Sequence, residues 1–124
     1  MKYLCLVYLD ERRLDELPDE ECVACDTAIR QSGHYLDCNR LLPPDTASTV
    51  RVRNGRVSAT DGPWTETRDQ LGGYYLIDAR DLNEAIQVAS RIPAARFGCV
   101  EVRPVAEDRQ TLQAPGVGAA QAVR

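Results

Sequence analysis

From Tyr3 to Leu9 the chain is apolar at every position, so residues 2–9 read as a strand with both faces asking for cover. Asp19-Glu20-Glu21, following Leu17-Pro18, then opens a helix capped by Asp19 and ended by Gly33. That helix carries Cys22, Cys25, Ala28 and Ile29 inward and Glu21, Thr27, Arg30 and Gln31 outward. Residues 34–42 alternate weakly and stop at Pro43-Pro44, which predicts a strand with an extended exit. Thr49-Val50-Arg51-Val52-Arg53 and Arg56-Val57-Ser58-Ala59-Thr60 flank Asn54-Gly55, two residues that tolerate the positive φ of a type I′ hairpin turn. Residues 71–79 form another strand. Asp81-Leu82-Asn83-Glu84 starts a second helix with a reciprocal cap between Asp81 and Glu84, and Leu82, Ala85, Ile86, Ala89 and Ile92 are its apolar stripe up to Pro93. A last strand over 98–103 closes at Pro104.

This order predicts an α+β domain on a ferredoxin-like βαββαβ plan, with a β-hairpin inserted before the third core strand. Two helices cover only one face of a four-stranded sheet, yet Leu4, Leu6 and Tyr8 are as apolar as Tyr3, Cys5, Val7 and Leu9. Pairing sheet against sheet about a twofold axis buries the second face, so a homodimer with a barrel-like shared core is expected. The domain should span residues 1–107. Residues 108–124 are poor in large apolar side chains and are expected to be a flexible or partner-bound tail.

Composition narrows the function classes. A net charge of −4, with the basic residues scattered, argues against a direct nucleic-acid partner. No apolar run approaches the ~20 residues of a membrane span, and the chain enters its first strand at once, which points to a cytoplasmic protein without a membrane partner. Five cysteines are an odd number for a disulfide framework. Cys22 and Cys25 share one helix face with Ile29, and no second ligand pair follows, so core packing explains them without zinc or redox chemistry. No metal and no cofactor are expected.

Candidate chemistry gathers at Asp61-Gly62-Pro63-Trp64, where Pro63 fixes its own φ and pushes Gly62 out of the α region. The turn sets a carboxylate beside a large aromatic, which can line a small-molecule pocket. The competing structural reading has Asp61 capping backbone N–H groups and Trp64 packed on the core.

The same residues carry a resemblance. Asp61-Gly62-Pro63-Trp64, Glu66-Thr67-Arg68 and Gln70-Leu71-Gly72-Gly73-Tyr74-Tyr75-Leu76-Ile77-Asp78 resemble the YCII-related family, in its DGPF branch. Leu41-Leu42-Pro43-Pro44, Ala89-Ser90-Arg91-Ile92-Pro93 and Val100-Glu101-Val102-Arg103-Pro104-Val105 fit the same pattern. Trp64 stands where the family has Phe, and Asn39 where many relatives carry Glu. The resemblance implies a dimeric α+β barrel, a superfamily that includes muconolactone isomerase-like proteins. YCII proteins are proposed to use a His-Asp pair. His34 is the single histidine, with Asp37 close in sequence, and it does not align with that dyad.

Two function classes follow. One is a small-molecule-binding or regulatory protein, since DGPF relatives resemble proteins encoded near, or fused to, extracytoplasmic-function sigma factors. The alternative is a cofactor-free isomerase or lyase acting on a small anionic or aromatic compound. Its catalytic candidates are Asp61, as acid/base, and His34, with Arg51, Trp64, Tyr74 and Tyr75 as ligand-binding groups.

Overall fold

The computed structural model describes residues 1–107. Its main sheet has four strands: β1 (Lys2–Leu9), β2 (Tyr35–Arg40), β5 (Gln70–Asp78) and β6 (Cys99–Pro104), in the order β2-β5-β1-β6 and antiparallel throughout. β3 (Ser48–Arg53) and β4 (Arg56–Asp61) pair only with each other, as a hairpin between β2 and β5. Helices α1 (Asp19–Gln31) and α2 (Leu82–Ala89) complete the α+β plan expected from the order of elements. The expected tail, 108–124, lies outside the described residues.

The period-two alternation of a strand sorts the apolar run of β1 into two faces. Tyr3, Cys5, Val7 and Leu9 are buried, and Leu4, Leu6 and Tyr8 are half-buried on the other side. The first set meets Cys25 and Ile29 from α1, Ala85, Val88 and Ala89 from α2, and Ile77 from β5. The core therefore sits entirely between the sheet and its helices.

Several local expectations are corrected. Pro18, not Asp19, is the N-cap of α1 and gives no side-chain bond, while Asp19, Glu20 and Glu21 fill the first turn, where negative charge suits the helix dipole. Ala28 is exposed. At α2 the Asp81 carboxylate accepts from the Glu84 N–H at 2.9 Å, but the reciprocal half is missing. The Glu84 carboxylate turns instead to the Arg80 N–H (3.1 Å) and guanidinium (2.6 Å). Leu82 and Ile86 are exposed, and Val88 occupies the core position expected of them.

Three short 3-10 helices, Glu11–Glu16, Pro44–Thr46 and Pro93–Arg96, fall where no element was expected, being too short for a periodicity to register. The first is capped by the buried Asp10. Its carboxylate accepts from the Arg12 N–H (3.0 Å) and a two-pronged guanidinium bond (3.0 and 2.8 Å). Those Arg12 contacts hold the Asp10 carboxyl at about 2, below its ordinary 3.8. The folded value is the lower one, so this stabilisation is complete above the unfolded value and is lost as pH falls through the folded one. In thermal melts, the advantage of wild type over Asp10→Asn should be constant above about 3.8 and should shrink as pH drops towards about 2.

In the hairpin, Asn54 (φ 54°) and Gly55 (φ 75°) supply the paired positive angles of the expected turn. Val50 opposes Ala59 and Val52 opposes Val57, so alternation places all four on one face. Thr49, Arg51, Arg53, Arg56, Ser58 and Thr60 make up the other. Among the described residues nothing covers the apolar face, and Val57 is 73% exposed.

Candidate functional site

α1 leaves the sheet uncovered towards the end where β2 exits and β5 begins. A cavity of about 820 Å³ opens there. Val7 and Leu9 of β1 and the β5 run Gln70–Tyr75 line its sheet side, with Cys22, Val23 and Asp26 of α1 opposite. Cys38, Asn39 and Arg40 of β2, the Leu41-Leu42-Pro43-Pro44 exit, Leu14, Leu17 and Ile92-Pro93-Ala94 complete the wall. It is a half-open, mostly apolar cleft that also takes in Glu11, Asp19, Asp26 and Arg40, of a size suited to a small organic molecule.

Gly72 and Gly73 both lie in that wall. A Cβ on Gly73 would come within 2.8 Å of the Asn39 carbonyl oxygen, a backbone atom of β2, while one on Gly72 would come within 2.7 Å of the tip of the Leu9 side chain, which can swing aside. Gly73 thus lets β2 and β5 approach each other beside the cavity.

Tyr75 is the polar centre of the site. It pairs with Cys5 on one side and Cys38 on the other, which places its side chain on the helix-facing side of the sheet. Its hydroxyl donates to the carboxylate of Asp26 on α1. Burial, reinforced by that bond, pushes the phenol well above its usual range, so Tyr75 stays protonated as a donor. Burial also raises the neighbouring thiols of Cys22, Cys25 and Cys38, which keeps them neutral rather than nucleophilic. All five cysteines are free, and among the described residues no cluster of three His, Cys, Asp or Glu could hold a metal.

The structure distributes the residues named from sequence over four places. Tyr75 is in the cavity. Tyr74, one residue earlier, also borders it, but its hydroxyl works on the opposite sheet face, donating to Asp37 (2.9 Å) and accepting from the Asn39 amide (2.8 Å). His34 lies at the α1–β2 junction, with Nδ1 2.7 Å from the Ser32 hydroxyl and Nε2 3.2 Å from Glu84. Its carboxylate partner is therefore Glu84, while Asp37 serves Tyr74. Asp61 ends β4, exposed on the valine face of the hairpin, and is not part of the cavity wall. Arg51, on the other face, sets its guanidinium 5.1 Å from the centre of the Trp64 ring. Trp64 is 67% exposed, so it is not packed on the core, and its contact is a surface cation–π pair.

Asp26 is the group that sequence reasoning missed. One signal for it existed: four residues after Cys22 and three before Ile29, it puts a carboxylate along the inward edge of α1.

The YCII-related domain model matches residues 1–109, which takes in every described residue. The chain belongs to the YCII-related family. An uncharacterised protein of Rhizobium meliloti (strain 1021) is 35% identical over 115 residues, covering 86% of this chain and 93% of that protein. In this YCII-related chain Gly73 is a packing requirement of the cavity wall, and Tyr75 of the same segment supplies its hydroxyl. No helix among the described residues of this YCII-related domain is long and apolar enough to cross a membrane.

Proposed function

We propose that this YCII-related protein binds a small, largely apolar molecule in the cavity between α1 and the sheet, and works as a homodimer. One observation carries the reading: a mostly apolar cleft of about 820 Å³ with the Asp26–Tyr75 pair in its wall. A ligand-sensing role fits the likeness to proteins encoded beside sigma factors. Dimerisation is supported by the half-buried Leu4, Leu6, Tyr8, Tyr74 and Leu76, which lie on the sheet face that no helix among the described residues covers.

The enzymatic alternative, a cofactor-free isomerase or lyase, draws on the same pair. There Asp26 takes the acid/base role first considered for Asp61, because Asp26 stands in the cleft and Asp61 stands outside it.

Thermal-shift titration with a library of small aromatic compounds tests the reading. A ligand at a hundredfold excess over its Kd stabilises by about 2.7 kcal/mol, a shift easily seen. Cys22→Phe, which narrows the cavity from the α1 side, should abolish the response, and Asp61→Asn should leave it intact. The reverse pattern would move the site to the hairpin and end this proposal.

A further inference from the structure

The cavity offers a ligand few groups that can donate a hydrogen bond and several that can accept one. In its interior the charged group is Asp26, half-buried on α1. Tyr75 spends its proton on that carboxylate and so presents to the cavity an oxygen that accepts. Cys22 and Cys38 contribute neutral thiols, which are weak donors. Arg40, Glu11 and Asp19 also line it, all three exposed and therefore at its rim. Among the described residues Asp26 forms no ion pair, and Tyr75 is its one side-chain hydrogen-bond partner. A half-buried carboxylate beside apolar walls is poorly solvated, and a cation brought to it supplies what the protein does not.

We infer that the cavity selects ligands with a protonated amine on an apolar, ring-sized body, the ammonium meeting Asp26 and the body lying along Val7, Leu9 and Ile92. This rests on the cavity being a ligand site, and it adds the chemical class. The ammonium has three donors. One reaches the free oxygen of Asp26, a second reaches the Tyr75 oxygen, and the third remains for water at the mouth. An anionic ligand of the same shape would face Asp26 directly, and the one cation lining the cavity, Arg40, is outnumbered there by Asp26, Glu11 and Asp19.

The test compares three compounds that share one ring system and differ in charge: naphthylmethylamine, naphthylmethanol and naphthoate. Each is titrated calorimetrically into the full chain, into Asp26→Asn and into the rim variant Glu11→Gln/Asp19→Asn, with thermal melts checking that every variant folds. The amine should bind wild type roughly ten-fold or more tightly than the alcohol, as a charge-assisted hydrogen bond requires. Asp26→Asn should erase that advantage, while the rim variant should keep most of it. Should Asp26→Asn fail to fold, wild type alone decides: a pair formed inside the cavity keeps the amine preference at roughly 0.5 M salt, whereas attraction to the rim is screened away. Naphthoate binding as tightly as the amine, or an amine preference that survives Asp26→Asn, overturns the inference and leaves the cavity as a ligand site. No binding of any of the three to wild type, with Cys22→Phe indistinguishable from it in the aromatic library, would remove the cavity reading as well.

Discussion

Gly98→Ala should be among the most damaging single-methyl changes this chain can receive, lowering the melting temperature by about 10 °C or more. The added Cβ would lie 2.0 Å from the Tyr8 carbonyl oxygen and 2.9 Å from the Leu9 Cα, both backbone atoms of β1. Neither can swing aside as a side chain can. β1 is an interior strand, hydrogen-bonded to both β5 and β6, so relief requires moving β6 off the sheet or bending β1 against the core. Overpacking usually costs about 1–3 kcal/mol when side chains absorb it, and backbone contact puts this case at or beyond the upper end. Against a total stability of roughly 5–15 kcal/mol, that is a large share. Gly98 donates its N–H to Ala94 at 2.9 Å and has no positive φ, so lack of space alone makes it glycine. A variant melting within a couple of degrees of wild type would show that β6 does not approach β1 in this way.

The second large effect is on assembly. Leu6→Lys should convert the proposed dimer to a monomer of 13.8 kDa in light scattering at micromolar concentration. Leu6 is half-buried on the face of β1 that carries no helix, flanked along the strand by Leu4 and Tyr8 and across it by Tyr74. In a twofold interface each substitution counts twice, so two central positions at ~2 kcal/mol each weaken association by about a thousandfold. Cys5 and Val7, which point to the helices, are untouched, so each protomer should still fold. If wild type is itself a monodisperse monomer under these conditions, the dimer proposal falls.

Much of the fold was legible because its signals are local. The unbroken apolar run of β1 gave residues 2–9 as a strand, and Asn54-Gly55 gave the hairpin turn with its paired positive φ. What misled was the sharing of work between neighbours. The capping motif at Asp81 and Glu84 reads as reciprocal, but Arg80 competes for the Glu84 carboxylate and wins. Leu82 and Ile86 look like core on a helical wheel, yet the sheet lies under the Ala85–Val88 side. The site was legible only in part. Tyr75 was named, and the adjacent Tyr74 faces the other way, a difference that strand alternation implies but that only the register of β1 and β5 assigns. Asp26 follows Cys25 on a moderately amphipathic helix, and its spacing from Cys22 and Ile29 hints at the inward edge without naming Tyr75 as its partner, which only the laying of α1 over β5 assigns. Asp61 and Trp64 drew attention because their turn is rigid, and rigidity says nothing about which cavity, if any, a turn adjoins.

The free-standing hairpin has an evolutionary consequence. At its base the Gly62 N–H bonds the Ala47 carbonyl at 2.7 Å, and the Thr49 hydroxyl bonds the Gly62 carbonyl at 2.8 Å. Beyond that clasp its strands bond only to each other. Lengthening it, or replacing its valines, disturbs neither the sheet nor the cavity, and the added closure entropy grows only slowly with length. The arm can therefore change its contacts by small mutational steps while the cavity stays constant, so that the two surfaces can be selected independently.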